Sequence, residues 1–210
     1  MTETALLPHA VRLVLDEAAD ADVLNPCGWG RVTIEGRPTK DLPTIGVKAG
    51  QLLWLNVSDD PAGIASAATV LTDLSVAAKL KHLVTLKLLT LFSNGTSFEE
   101  YTFAATISVP PGEELAVATK LFGTIKTGVK RVEQEKDFVG PSVLVTTLDV
   151  PGAITLYGAC DTFELFDEFQ KDVLFGAVTE AGIDPAGIDF CELDDFSAVA
   201  SDPCEYVATA

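Results

Sequence analysis

The chain has only two histidines in 210 residues, His9 and His82, and neither adjoins a nucleophilic serine or cysteine motif. Its four cysteines form no CxxC pair and have no histidine near them in sequence, which argues against a zinc site. No GxxxxGK loop is present to cradle a phosphate, and "GWGRV" offers only two glycines. No run reaches the ~18 uncharged apolar residues that a membrane helix needs. The opening "MTETALLPHAVRLVLDEAADAD" has no basic leader, so Cys27, Cys160, Cys191 and Cys204 read as reduced thiols. Bases are scarce as well. Fourteen Lys and Arg stand against 31 Asp and Glu, a formal net charge of −17 that disfavours nucleic acid and anionic membranes as partners.

The acids that are present carry no catalytic signature. Adjacent carboxylates recur at Asp16-Glu17, Asp59-Asp60, Glu99-Glu100, Glu113-Glu114 and Asp194-Asp195, and nothing marks any pair as the facing carboxylates of a glycosidase. "DEAADAD" and "ELDD" lack the spacing and central glycine of an EF-hand loop. The acidity is concentrated late. Residues 161–210 hold thirteen acids and a single base, Lys171, as a solvated face or a docking tail would.

Apolar content is ample at 48%, enough for a real core. The richest stretch is "HLVTLKLLTLFSNGTSFEEYTFAATISV", His82 to Val109, where Asn94-Gly95 is a strong hairpin signal. Centring a two-residue turn there sets Leu88 opposite Tyr101, Leu86 opposite Phe103 and His82 opposite Ile107, so one face is almost wholly apolar. The other face mixes Leu83, Leu89, Leu91 and Phe98 with Thr85, Lys87 and Glu100, as an assembly interface would. Lys120, Lys126, Lys130 and Arg131 then form a basic edge able to meet the acidic tail of a neighbouring copy.

Elsewhere, alternation predicts strands around Val11–Leu15, Arg31–Gly36 and Gln51–Val57, and in "PSVLVTTLDV", "PGAITLYGA" and "DTFELFDEF". "LAVATKLFGTIKTGVKRV" reads as a bent or edge strand, and residues 58–79 as a helix or a coil across the sheet. From Phe166 the period changes to that of an amphipathic helix. These elements predict an all-β, mainly antiparallel sandwich or barrel of roughly eight strands. Residues 1–165 would form the body, and residues 166–210 an acidic appendage of helix and loose tail.

A long two-faced hairpin, absent catalytic residues and segregated charge suit a non-enzymatic virion structural protein of the capsid, decoration, neck or phage tail-tube class. Such a protein would be made in a host cytoplasm and would act through copies of itself and other virion proteins, without cofactor, metal, membrane or direct nucleic-acid contact. The alternative is a carbohydrate- or ligand-binding β-sandwich in which Trp29, Trp54 and Tyr157 form a stacking platform. A third reading is an acidic DNA mimic or regulatory protein.

Overall fold

The computed structural model describes residues 9–20, 22, 24, 31–59, 71–95, 101–135, 140–200 and 203–209. Its strands are β1 (His9–Leu15), β2 (Val32–Pro38), β3 (Leu52–Ser58), β4 (Leu80–Asn94), β5 (Tyr101–Ser108), β6 (Val143–Val150), β7 (Ala153–Cys160), β8 (Ile188–Ala200) and β9 (Pro203–Val207). Its helices are α1 (Leu74–Ala77), α2 (Glu114–Glu135), α3 (Phe163–Phe169) and α4 (Phe175–Glu180). One π turn, Gln170–Leu174, joins the last two. The sheet is antiparallel with order β1-β3-β2-β8-β5-β7-β6-β4-β9, and β1 also pairs with β4. The first eight strands therefore close into a barrel.

The order conceals a duplication. Residues 9–94 arrange their strands as β4-β1-β3-β2, and residues 101–200 repeat the pattern as β8-β5-β7-β6. Each half is a four-stranded unit, and in the second the strand order and connecting helices follow β-α-β-β-α-β. In the first half the matching connections contain, among the described residues, only α1 as an α-helix. Two seams join the halves, β2 with β8 and β4 with β6.

Side-chain alternation then sorts the residues into three cores. The barrel interior holds Ala10, Val14, Ile34, Leu53, Leu55, Val145, Tyr157 and Leu193 among others, close to the capacity of an eight-stranded barrel. The outer face of the second half packs Phe103, Ile107, Leu144, Ile154 and Leu156 under the helices. The outer face of the first half gathers Val11, Leu13, Leu15, Leu52 and Trp54.

The long hairpin does not form. Asn94 ends β4, Gly95 has the positive φ of +81° that its turn signal implied, and residues 96–100 lie outside the described set. Yet β4 gives its edges to β1, β6 and β9, while β5 lies between β7 and β8. β5 and the later part of β4, from Leu88 on, are apolar on two faces because one face lines the barrel and the other is covered from outside, whereas residues 81–85 of β4 are exposed. A register shift between Leu88 and Thr90 explains why Leu86, Leu88 and Leu91 enter the barrel while Leu89 turns out beneath α2.

The expected mainly antiparallel sheet of roughly eight strands is present, but two segments read as strands are helices, so all-β holds only broadly and the fold carries an α+β helical layer. In α2 the buried residues Ala118, Leu121, Phe122, Ile125 and Val132 follow helical spacing, which its threonines, valines and glycines disguised. Glu114 opens it by accepting from the Gly112 and Gly152 amides at 2.8 Å each, and these hydrogen bonds, that of Gly152 first, hold its pKa below the usual carboxylate value. In "DTFELFDEF", Thr162 is an N-cap whose hydroxyl accepts from the Leu165 amide at 3.3 Å. The loose tail expected after residue 190 is instead β8, in the middle of the sheet, followed by β9.

Gly158 on β7 makes room for the Phe103 and Leu144 side chains of the two flanking strands. A Cβ there would lie 2.6 Å from Phe103 Cε1 and 3.0 Å from Leu144 Cδ2. Both neighbours are fully or nearly buried, so they have no room to give. Gly158→Ala should cost about 1–3 kcal/mol, read as a lower midpoint in urea. An unchanged midpoint would show that the layer is looser than described.

Candidate functional site

The barrel interior carries an unusual polar group among its buried apolar side chains. Arg12 on β1 follows the inward face set by Ala10 and Val14, and its Nη1 forms an ion pair with Asp149 on β6. Nη1 also donates to the Tyr157 hydroxyl at 3.2 Å, Nη2 donates to the Ile45 carbonyl at 3.4 Å, and the Thr147 hydroxyl donates to Asp149 Oδ2 at 2.9 Å. The charged side chains are 5% and 1% exposed. Burial opposes the charge on Arg12, but Tyr157 and Asp149 outweigh it and raise its pKa. Burial, followed by the Asp149 charge, raises that of Tyr157. This cluster ties one half of the chain to the other across the barrel.

Open space lies instead on the outer face of the second half. A cavity of about 120 Å³ is enclosed between the sheet and the α3–α4 segment. Ala105 and Ile107 of β5 and Leu156 of β7 form its floor, Phe190 of β8 a wall, and Leu174 and Val178 its roof. These positions converge because β5, β7 and β8 are adjacent strands, with Ala105 opposite both Leu156 and Phe190. Gln170 is the one polar side chain in the lining, and Phe175, 48% exposed, stands beside it.

Gln170 begins the π turn, in which the Phe175 amide donates to the Gln170 carbonyl five residues back. A π turn widens a helix by one residue and often marks a functional position. Here it sets both Gln170 and Phe175 against the cavity.

An aromatic ladder continues the cavity wall to the surface. Phe190 stacks on Phe103 at 5.5 Å and on Phe166 at 5.2 Å, Phe166 stacks on Tyr101 at 4.5 Å, and Tyr101 meets exposed Phe163 edge-on at 5.4 Å. Burial first, and the Glu192 carboxylate second, raise the Tyr101 pKa, so this phenol stays protonated throughout the ordinary pH range. Its buried hydroxyl has no hydrogen-bond partner among the described residues.

The residues singled out in sequence do not assemble here. Leu83 is 37% exposed at the start of β4, Leu89 and Leu91 are buried in different cores, and Phe98 lies outside the described residues. The expected interface face therefore does not exist as one surface. Lys120, Lys126, Lys130 and Arg131 lie on helix α2 rather than on a strand edge. Lys126 meets Glu205 of the same chain at 2.7 Å, and Arg131 donates to the Asp172 carbonyl at 3.1 Å. Trp54 and Tyr157 are buried in separate cores, and Trp29 is outside the described set, so no stacking platform forms. His82 is exposed, 3.1 Å from the Gly46 carbonyl, rather than on a buried apolar face. Cys160 and Cys191 are buried and Cys204 is half-buried. Among the described residues no helix is long and apolar enough to cross a membrane.

The sequence offered a signal for half of this site. The helical period from Phe166 marked the roof, but Ala105, Leu156 and Phe190 looked like ordinary strand residues, and only strand order brings them together.

No protein-family model and no curated protein matches the sequence. Solved structures do match it in fold. A protein from Lactobacillus acidophilus, provisionally assigned as a monooxygenase, superposes with a TM-score of 0.66 at 10% identity, over 95% of this chain and 99% of its own. A second provisionally assigned monooxygenase, from Fusobacterium nucleatum, gives 0.64 at 11% identity, over 99% and 100%. An uncharacterised ferredoxin-fold protein related to antibiotic biosynthesis monooxygenases, from Listeria monocytogenes, gives 0.51 at 12% identity, over 92% and 99%. At such identities the likeness is one of fold. It corrects the expectation of a non-enzymatic virion protein of capsid or tail type, because the fold matches proteins provisionally assigned as monooxygenases over 95% or more of the chain.

Proposed function

We propose that the chain binds a small, largely apolar ring compound in the cavity beneath α3–α4 and acts on it as an oxidising enzyme. The observation that carries the binding is the cavity of about 120 Å³, walled by apolar side chains and furnished with one amide, Gln170. An apolar cavity of about 150 Å³ is known to accept benzene, so this one suits a single ring. The Gln170 amide can donate to, or accept from, one oxygen substituent and so orient the ring. Larger ring systems would need Phe175 to swing outward. Apolar walls keep water from a reactive intermediate. The oxidising part of the reading is supported by the names of the structural neighbours and their common fold.

Filling the cavity tests the binding. Ala105→Leu should leave the protein folded but weaken phenol or 1-naphthol binding by at least about tenfold in calorimetry, which corresponds to ~1.4 kcal/mol. Unchanged affinity would remove this cavity from consideration. Oxygen uptake with the same phenols tests the chemistry: turnover by the native chain and its loss in Ala105→Leu are expected. A chain that binds phenols yet consumes no oxygen with any phenol or naphthol would be a binder and not an oxidising enzyme.

A further inference from the structure

On the opposite flank of α2 lies a second open space, unconnected with the oxidising reading. A cleft of about 230 Å³ is floored by Phe92 of β4 and Leu144 of β6, and walled by Phe122, Ile125 and Val129 of α2. It shares Phe122, Lys126 and Lys130 with a shallower hollow of about 370 Å³ that reaches Glu205 and Val207. Together they form one elongated trough between α2 and the sheet edge, with Lys126 astride it.

Its chemistry is divided. The floor is apolar, and Ile125 and Leu144 belong to the core beneath. The rim is basic, with Lys126 and Lys130 one helical turn apart on the same face and Glu133 beyond them. Four of the chain's fourteen basic residues, Lys120, Lys126, Lys130 and Arg131, sit on this one helix, in a molecule of net charge −17. Lys126 Nζ lies 2.7 Å from each oxygen of Glu205, bridging the trough. It also lies 5.8 Å from the centre of the Phe122 ring. Among the described residues Lys130 has no ion-pair partner. An apolar slot ending in two ammonium groups, one held by a carboxylate, is the complement of an amphipathic anion.

We propose that the trough is a binding site for an aliphatic carboxylate of medium chain length. Its tail lies on Phe92, Ile125, Val129 and Leu144, and its head group takes the place of Glu205 on Lys126 while drawing in Lys130. Exposed ion pairs such as Lys126–Glu205 hold weakly in water, so an incoming carboxylate can displace this one. Glu205 then acts as a resident competitor.

Calorimetric titration of the full chain with hexanoate, octanoate and decanoate, with 1-octanol as the uncharged control, tests this. Affinity should rise about fourfold per methylene until the trough is full. Octanol should bind at least about tenfold more weakly than octanoate, and Lys126→Gln with Lys130→Gln should abolish that gap without changing octanol binding. Glu205→Gln should tighten octanoate binding, which a merely structural or nonspecific role for Glu205 would not do. All three substitutions are at the surface, and circular dichroism confirms that each variant folds. Equal affinity for octanoate and octanol, weaker or unchanged octanoate binding in Glu205→Gln, or no binding at all would overturn the proposal. Ala105→Leu should leave octanoate binding intact; a loss there would place the tail in the other cavity and likewise overturn it.

Discussion

A chain ending at Gly187 should fail to fold, showing neither a cooperative thermal transition nor near-ultraviolet dichroism. The missing segment begins with β8, which lies between β2 and β5 and pairs with both. Its Cys191, Leu193 and Ala198 are buried in the barrel, and its Phe190 stacks within the helix-covered core. Without it, β2 and β5 become open edges, one of the two seams between the halves is lost, and the barrel cannot close. A chain ending at Ala200 provides the control. It lacks only β9, which pairs with residues Thr90–Asn94 at the end of β4, and should melt cooperatively at a modestly lower temperature. Cooperative melting of the shorter chain near the native temperature would disprove the closed sheet and restore the acidic segment as an appendage.

Asp149→Ala should be the most damaging single substitution, at about 3–5 kcal/mol, because it leaves the Arg12 guanidinium buried without its countercharge. For a domain of this size that corresponds to a melting temperature lower by roughly 6–20 °C. Arg12 cannot escape by deprotonating, since its neighbours raise a pKa that is already high. The double replacement Arg12→Met with Asp149→Leu should recover most of the loss, because well-packed apolar groups often match a buried ion pair. The thermodynamic cycle over the single and double variants measures the coupling. A single-variant cost below about 1 kcal/mol, the level of a surface pair, would contradict the burial of this cluster.

The part legible in the sequence was local. Alternation located β1, β2 and β3 to within a few residues, and Pro151-Gly152 correctly divided β6 from β7. The helical period after Phe166 was also real, although the helix begins at Phe163, where the Thr162 cap was the signal to read. α2 was lost because Val117, Thr119, Thr124 and Thr127 resemble strand residues, and only the spacing of Leu121, Phe122 and Ile125 betrays the helix. For the candidate site, the roof was legible and the floor was not.

By itself, then, the sequence determined where strands must lie, that a large core exists and that the surface is acidic, since each follows from composition and short-range period. Tertiary structure alone decided which strands pair. Asn94-Gly95 favours a turn by local backbone preference, but the partners of β4 and β5 are set by how all eight strands bury their inner faces at once. A strand buried on both faces carries no alternation to show which side is inward. Closure of the duplicated halves, the meeting of Arg12 with Asp149 at a separation of 137 residues, and the cavity over Ala105 and Leu156 all depend on that choice.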